Sequence, residues 1–562
     1  MMKQGQDFFR VGYDYQLTLN HILEHAAKLH PKGEIIYRDI CRENYKQLDE
    51  RCQRLSNALK SLGVKQGSKV VTFEWNTHRF LEVYFAVPSM GAIMHLGNPL
   101  LTPAQITYII NHAEDEVVLF NKDFTPLIEG ISNELKTVKH YVALTDDGRL
   151  PETKLKPIWE YEELLGSASP KYEYPELSED TVATLCYTTG TTGDPKGSWF
   201  THRAMSLHTM VWGSYIFGHG LVRAPYGAVM SVTPMFHVHQ WGFPYFATYF
   251  GIKQILAGRT DPLVILEMIK SEREKEPDQR ICMTAVPTVV RMLVYHPKVM
   301  EYREYLQNIA ILVGGSSFPR GLAERCIELG MEPIVGWGMT ETCPIVGIPF
   351  LKSHMKDWSD DEKLIFSLRT GWEAPFSEQR VVDEKGNDVP KDGKTIGEIV
   401  YRSPWATPGY YKEPERSKEL WRGGWLHTGD LATVDEEENI FIVDRAKDVV
   451  KSGGEWISTL TLEDLLSRQP KVKEAAIIGA AHEKYDERPI AIVVTKEEYR
   501  GKTSEEELRG YMMKFVAEGK IAKWWIPDKF IFVDEIPKTS VGKYDKKVLR
   551  PKYKDVLREG VG

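Results

Sequence analysis

The sequence predicts an α/β fold: a large N-terminal domain of βαβ units on parallel-rich sheets, a small β-rich subdomain, and an α+β C-terminal domain. Three observations carry this expectation. Short apolar runs alternate with amphipathic helical stretches through the first part of the chain. After about residue 380 the texture changes to short alternating strands separated by Asp/Gly turns. A chain of 562 residues is also well beyond the length one core can serve.

Leu48, Cys52, Leu55 and Leu59 recur at helical spacing with Glu50, Arg51 and Arg54 between them, the pattern of a helix with one buried stripe. Val70, Val71 and Phe73, and then residues 116–120, read as short buried strands. The middle repeats the alternation, with strands at 229–232, 281–286 and 309–313, a helix after Pro287 and another over 321–329. Strands at 380–383, 397–401 and 439–444 form the β-rich subdomain over 380–444. The charged run 444–448 reads as a flexible connection. Beyond it the pattern predicts a helix at 461–468, strands at 474–479 and 490–495, a helix at 504–518 and a strand at 530–533. The domains are therefore placed at 1–446 and 447–562.

Composition excludes several classes. Apolar residues make up 42% and charged residues 27%, an ordinary globular balance. Lys and Arg number 71 against 79 Asp and Glu, so a broad nucleic-acid surface is not expected. Six scattered cysteines without a CxxC pair suit neither a disulfide framework nor a structural zinc site. The N-terminus lacks the apolar core of a signal peptide. The long uncharged stretch 224–252 is interrupted by Pro225, Pro234 and Pro244, which fits buried core or pocket wall better than a membrane span. A cytoplasmic protein is expected.

The most informative segment is Tyr187-Thr-Thr-Gly-Thr-Thr-Gly-Asp-Pro-Lys-Gly197. Its glycines let backbone N–H groups approach an anion, its threonine hydroxyls add donors, and Lys196 adds positive charge. Thr188, Thr189, Gly190, Thr191, Thr192, Gly193 and Lys196 thus read as a cradle for the β- and γ-phosphates of a nucleotide. It is not a Walker A loop, since the nearest candidate, Gly393-Lys394-Thr395, has Asp388 where the first glycine is required.

This loop and five later segments, in chain order, resemble the acyl-adenylate-forming (AMP-binding) enzymes, which include acyl-CoA synthetases, firefly-type luciferases and the adenylation domains of peptide synthetases. Gly314-Gly-Ser-Ser317 resembles the loop beside the adenine, which implies roles there for Gly315 and Ser316. Gly336-Trp-Gly-Met-Thr-Glu-Thr342 is similar to the adenine-stacking and magnesium-binding segment, carrying Gly336, Trp337, Gly338, Met339, Thr340 and Glu341. His427-Thr-Gly-Asp430 resembles the ribose-binding segment, with Arg445 near the same ribose. The run 444–448 resembles the interdomain hinge, and Pro537-Lys-Thr-Ser-Val-Gly-Lys543 the C-terminal catalytic loop.

The resemblance implies that ATP and a carboxylic acid form an acyl-adenylate with release of pyrophosphate, and that CoA then takes the acyl group. Positioning and charge neutralisation are the main tasks of such a site. Glu341 is implied as the Mg²⁺ carboxylate with the Thr191 hydroxyl beside it, Trp337 as the ring stacked on adenine, and Asp430 as the acceptor for the ribose hydroxyls. Lys447 is implied as the hinge residue, with Lys447 and Lys451 reaching the adenylate phosphate. Residue chemistry alone does not choose among Lys538, Lys543, Lys546 and Lys547; the motif singles out Lys543 as the lysine bridging carboxylate and α-phosphate. Gly453 and Gly454 are implied along the pantetheine tunnel of a C-terminal domain that is mobile between half-reactions.

His237 and Trp241 fall where the family builds its acyl pocket; His237 is implied as a catalytic residue, and Trp241 reads equally as core packing or as a gate. Residues 451–458, Trp456 above all, resemble the medium- and long-chain fatty-acyl-CoA synthetase branch. A short-chain or hydroxy acid, or a carrier-protein thiol in place of CoA, stay as alternatives, and a nucleotide-binding regulator without turnover is disfavoured by the intact acidic and basic residues. The resemblance also implies a homodimer through the N-terminal domain.

Overall fold

A computed structural model describes residues 12–188, 194–223, 226–453, 455–538 and 544–558. Two seven-stranded sheets form the N-terminal part. The first runs in space through Ile158–Glu160, His140–Leu144, Val117–Asn121, Lys69–Phe73, Ile93–Leu96, Val182–Thr188 and Lys196–Thr201. All its neighbours are parallel except the last pair, where Val182–Thr188 and Lys196–Thr201 turn back on each other. The second runs through Met331–Val335, Ile309–Val313, Ile281–Ala285, Ala228–Ser231, Lys253–Leu256, Glu34–Tyr37 and Cys41–Asn44. It too is parallel up to an antiparallel edge hairpin.

Helix His78–Ser89 is buried along its whole length and packs on strands of both sheets. A helix without a polar face is the expected solution between two apolar layers. Its charged residues are paired: Arg79 contacts Asp146 and Glu162, each at 2.8 Å, and Glu82 takes Arg51 at 2.8 Å. The amphipathic segment around Leu48 forms helix Tyr45–Ser61, started by Asn44, whose side chain accepts from Gln47 N. The uncharged stretch is pocket wall and core, with Phe243, Tyr245 and Phe246 fully buried.

The β-rich subdomain is an antiparallel sheet of Glu378–Val382, Gly397–Arg402, Leu426–Val434 and Ile440–Arg445. The sequence gives no periodic signal for Leu426–Val434, because its first half is polar and Gly429 turns at φ +70°. The C-terminal part is a five-stranded sheet with helices Thr459–Ser467 and Glu505–Ala517 on one face and Lys546–Tyr553 on the other. Strand Val472–His482 shows why: Ala475 and Ile477 join the core under the first two helices, Ala476 and Ile478 the core under the last. Two of the five strands, Val450–Ser452 and Glu455–Ile457, form a hairpin at the edge of this sheet that is absent from the sequence expectation.

The run 444–448, expected as a flexible connection, makes defined contacts. Strand Ile440–Arg445 extends into it, and Asp444 is only 1% exposed, accepting from Thr459 N at 2.6 Å and Thr459 Oγ1 at 2.7 Å. Arg445 pairs with Asp430 at 3.0 Å and Asp448 with Arg550 at 3.0 Å, so these charges hold the junction together. Among the described residues, no helix is long and apolar enough to cross a membrane.

Candidate active site

A cleft of about 480 Å³ opens where the carboxyl ends of both large sheets face the β-rich subdomain. Open parallel sheets bind ligands at that end because the strand-to-helix loops gather there. Thr188 ends one strand and Lys196 begins the next; they are antiparallel partners and both line the cleft. Thr189, Gly190, Thr191, Thr192 and Gly193, the centre of the phosphate loop, lie outside the described residues.

Lys196 and Glu341 are joined through a residue the sequence analysis did not single out. The Lys196 ammonium sits 4.8 Å from the centre of the Tyr410 ring, and the Tyr410 hydroxyl donates to Glu341 Oε1 at 2.7 Å. Burial and the Glu341 charge push the Tyr410 phenol above its ordinary value, so it stays a donor. Glu341 is 7% exposed yet borders the cleft with Thr340, presenting the hard oxygen donors that Mg²⁺ favours.

Glycines shape the opposite wall. A Cβ on Gly314 would stand 2.9 Å from Gly336 O and 3.1 Å from the Trp241 ring, and one on Gly338 would stand 1.9 Å from Pro344 O. Gly315, at φ +87°, turns the backbone along the cleft, whereas Ser316 points outward and does not line it. Trp337 and Met339 line the same wall.

Strand register puts Asp430 opposite Arg445. Asp430 is 3% exposed, with Oδ1 3.0 Å from Arg445 Nε and Oδ2 accepting from Trp337 Nε1 at 3.1 Å. The carboxylate therefore fixes the indole and the guanidinium from just beneath the cleft surface, which Gly429 and Arg445 form. The Asp430 charge in turn raises the Arg445 pKa. Glu398 braces the turn from the other side, accepting from Gly429 N at 3.0 Å and meeting His427 Nδ1 at 2.8 Å.

Lys447 borders the cleft, and burial followed by the neighbouring Arg445 charge pushes its ammonium down to about 8. Lys451, Gly453 and Trp456 sit on the Val450–Ile457 hairpin and are not among the lining residues; Gly454 and Lys543 lie outside the described residues. Lys538 is paired with Glu474 at 2.6 Å and Lys546 is buried against Glu463 at 2.7 Å, so two of the four basic-tail lysines already have structural partners.

One stretch of the cleft wall is apolar. Phe236, Val238 and Trp241 line it beside His237, and the Trp241 ring lies against Gly314. Tyr410 and Glu398 were illegible in sequence because their roles come from contacts: Tyr410 meets Glu341 across 69 positions of chain.

The model of the AMP-binding enzymes matches residues 23–411, and that of the AMP-binding enzyme C-terminal domain matches residues 461–543. The long-chain-fatty-acid–CoA ligase of Thermus thermophilus is 42% identical over 96% of this chain and 96% of its own. The medium-chain-fatty-acid–CoA ligase of Ectopseudomonas oleovorans is 36% identical over 96% of this chain and 97% of its own. The crystal structure of the anthranilate CoA ligase AuaEII in complex with anthranoyl-AMP superposes with a TM-score of 0.81 at 24% identity, covering 98% of this chain and 99% of that one. ATP-bound MatB from Rhodopseudomonas palustris gives 0.80 at 23%, covering 96% and 100%. The structural likenesses establish the fold.

Proposed function

The chain belongs to the AMP-binding enzyme family, and we propose that it is an AMP-forming acyl-CoA ligase acting on medium- to long-chain fatty acids. The observation that supports this reading best is the meeting, in one cleft, of the Lys196–Tyr410–Glu341 array, the Trp337–Asp430–Arg445 array and an apolar wall ending at Trp241.

In the first half-reaction a carboxylate oxygen attacks the α-phosphorus of ATP and the bond to pyrophosphate breaks. In the second, the CoA sulfur attacks the acyl carbon and AMP leaves, its phosphate having kept the bridging oxygen. Thr188, Lys196 and the loop between them hold the β- and γ-phosphates. Trp337, Gly315 and Gly336 flank the adenine, while Asp430 sets Arg445 and Trp337 around the ribose. Glu341 and Thr191, with the Thr340 hydroxyl beside them, would hold Mg²⁺, which supplies charge neutralisation at the phosphates. Lys543 bridges the carboxylate and the α-phosphate, and Lys447 and Lys451 serve the adenylate phosphate as the domain turns. His237 and Trp241 border the acyl chain, with Gly453 and Gly454 along the pantetheine path.

The boundary at 446/447 is supported by the end of strand Ile440–Arg445 and by C-terminal cores built from residue 450 onward. A cytoplasmic location and a homodimer complete the proposal. The test is acid-dependent exchange of pyrophosphate into ATP across a chain-length panel, followed by thioester formation with CoA or with a carrier protein. Maximal exchange with C8–C18 acids and transfer to free CoA are expected; release of ADP and orthophosphate overturns the reading.

A further inference from the structure

Residues 238–242 follow a path that L-amino acids resist. Val238 has φ +34°, His239 +57°, Gln240 +49° and Trp241 +58°, and Gly242 completes the run at +87°. A single non-glycine residue in this region is uncommon, and four in succession persist only where the surroundings hold them. The turn is closed by Gln240 N donating to His237 O at 3.0 Å. It presents His237, Val238 and Trp241 to the cleft.

The two side chains that face away from the cleft are fully buried and polar. His239 Nε2 lies 2.8 Å from Thr184 Oγ1 and 3.6 Å from Cys186 Sγ, both on strand Val182–Thr188, which leads into the phosphate loop. Gln240 Nε2 donates to Thr284 Oγ1, and Gln240 Oε1 accepts from Ser231 Oγ at 3.1 Å. Those partners stand on Ile281–Ala285 and Ala228–Ser231, neighbouring strands of the second sheet. The turn is thus gripped by one arm on each large sheet.

We propose that His239 and Gln240 are positioning residues for acid selection, a two-armed clamp that keeps the strained turn left-handed so that the Trp241 ring stays against Gly314 and closes the acyl side of the cleft. The inference rests on the acyl-CoA ligase reading and deepens it. Relaxing any of the four residues to negative φ would re-aim the chain direction at Trp241, so the ring's position depends on the clamp. A buried amide bonded at both ends fixes orientation as well as distance. His239 acts as a neutral spacer, since burial lowers its pKa to about 3. A backbone role alone would be served by glycine, which adopts positive φ without penalty.

That difference supplies the test. Gln240→Gly keeps the turn conformation accessible and removes one arm. The expected result is a folded enzyme whose KM for the preferred acid rises about fivefold or more with a broadened chain-length profile, while the ATP KM and the pH profile stay within about twofold of the parent. Thr284→Val removes the same bond from the strand side and is expected to give the same profile, and it carries the test should Gln240→Gly fail to fold. An acid KM and chain-length profile unchanged in the folded variant overturn the clamp; equal losses for acid and ATP also overturn it, because they mark general structural damage. The parent enzyme is assayed first across the same acids: absence of acid-dependent exchange there defeats the ligase reading itself, a result distinct from an unaltered variant.

Discussion

At the scale of single residues, Tyr410 carries the most testable claim. Its ring faces the Lys196 ammonium and its hydroxyl donates to Glu341, so Tyr410→Phe keeps the packing and the cation contact while deleting one hydrogen bond to a charged carboxylate. Such a bond is worth ~1.5 kcal/mol or somewhat more, which predicts roughly a tenfold fall in acid-dependent exchange. The Mg²⁺ concentration giving half-maximal rate should rise in parallel, and a titration with an unaltered midpoint would remove Tyr410 from that role. Lys447 makes a second claim. Its ammonium is protonated below about 8 and loses its charge as pH rises through that value, taking an attraction for polyphosphate with it. The kcat/KM for ATP, which reports the free enzyme, should therefore decline above pH 8, and Lys447→Gln should flatten that limb. The contrast between Glu341 and Tyr410 also shows what a sequence can reveal. Glu341, Thr340 and Trp337 stand in one contiguous motif and could be read directly. Tyr410 and Glu398 act through side chains folded against them from elsewhere in the chain, and no local pattern announces such meetings.

At the scale of elements, legibility followed burial. Strands covered on both faces, such as Ile309–Val313, are unbroken apolar runs and were anticipated with their boundaries. Strand Leu426–Val434 was not, since its first half borders the cleft and carries polar side chains and a left-handed glycine where a strand signal would be apolar. The left-handed turn at 238–242 was equally hidden, because tertiary contacts and not residue type impose its backbone. Strand Lys69–Phe73 leads to a further prediction through Glu74, which follows it and is fully buried. Glu74 Oε1 accepts from Trp75 N at 2.6 Å and Asn121 Nδ2 at 2.7 Å, and burial pushes the carboxyl up to about 8. The native state then holds a proton that the unfolded state releases near pH 4.5, so this group's contribution to stability falls as pH rises from there through 8. Glu74→Gln imitates the protonated form. Thermal unfolding should show it close to the parent at pH 5 and more stable at pH 9; parallel curves would mean the carboxyl ionises freely.

At the scale of the whole molecule, the question is how one cleft serves two reactions. The junction between the domains is tied by Asp444 with Thr459 and Arg550 with Asp448, so the C-terminal unit meets the hinge through defined contacts. Lys538 and Lys546 are held in ion pairs, and the proposal assigns the adenylating role to Lys543 on its motif. Adenylation needs a cation between two repelling anions, the carboxylate and the α-phosphate, whereas the thiol step begins from an anhydride already made and needs the same approach cleared for CoA. The two half-reactions should therefore separate on substitution. Lys543→Ala is expected to reduce acid-dependent pyrophosphate exchange by about a thousandfold or more while leaving thioester formation from supplied acyl-AMP within about tenfold of the parent. Measured side by side on one preparation, these rates also control for folding, since a collapsed C-terminal domain would depress both. Parallel loss of the two half-reactions would place Lys543 in the scaffold of that domain and leave Lys547 to be tested for the bridging role.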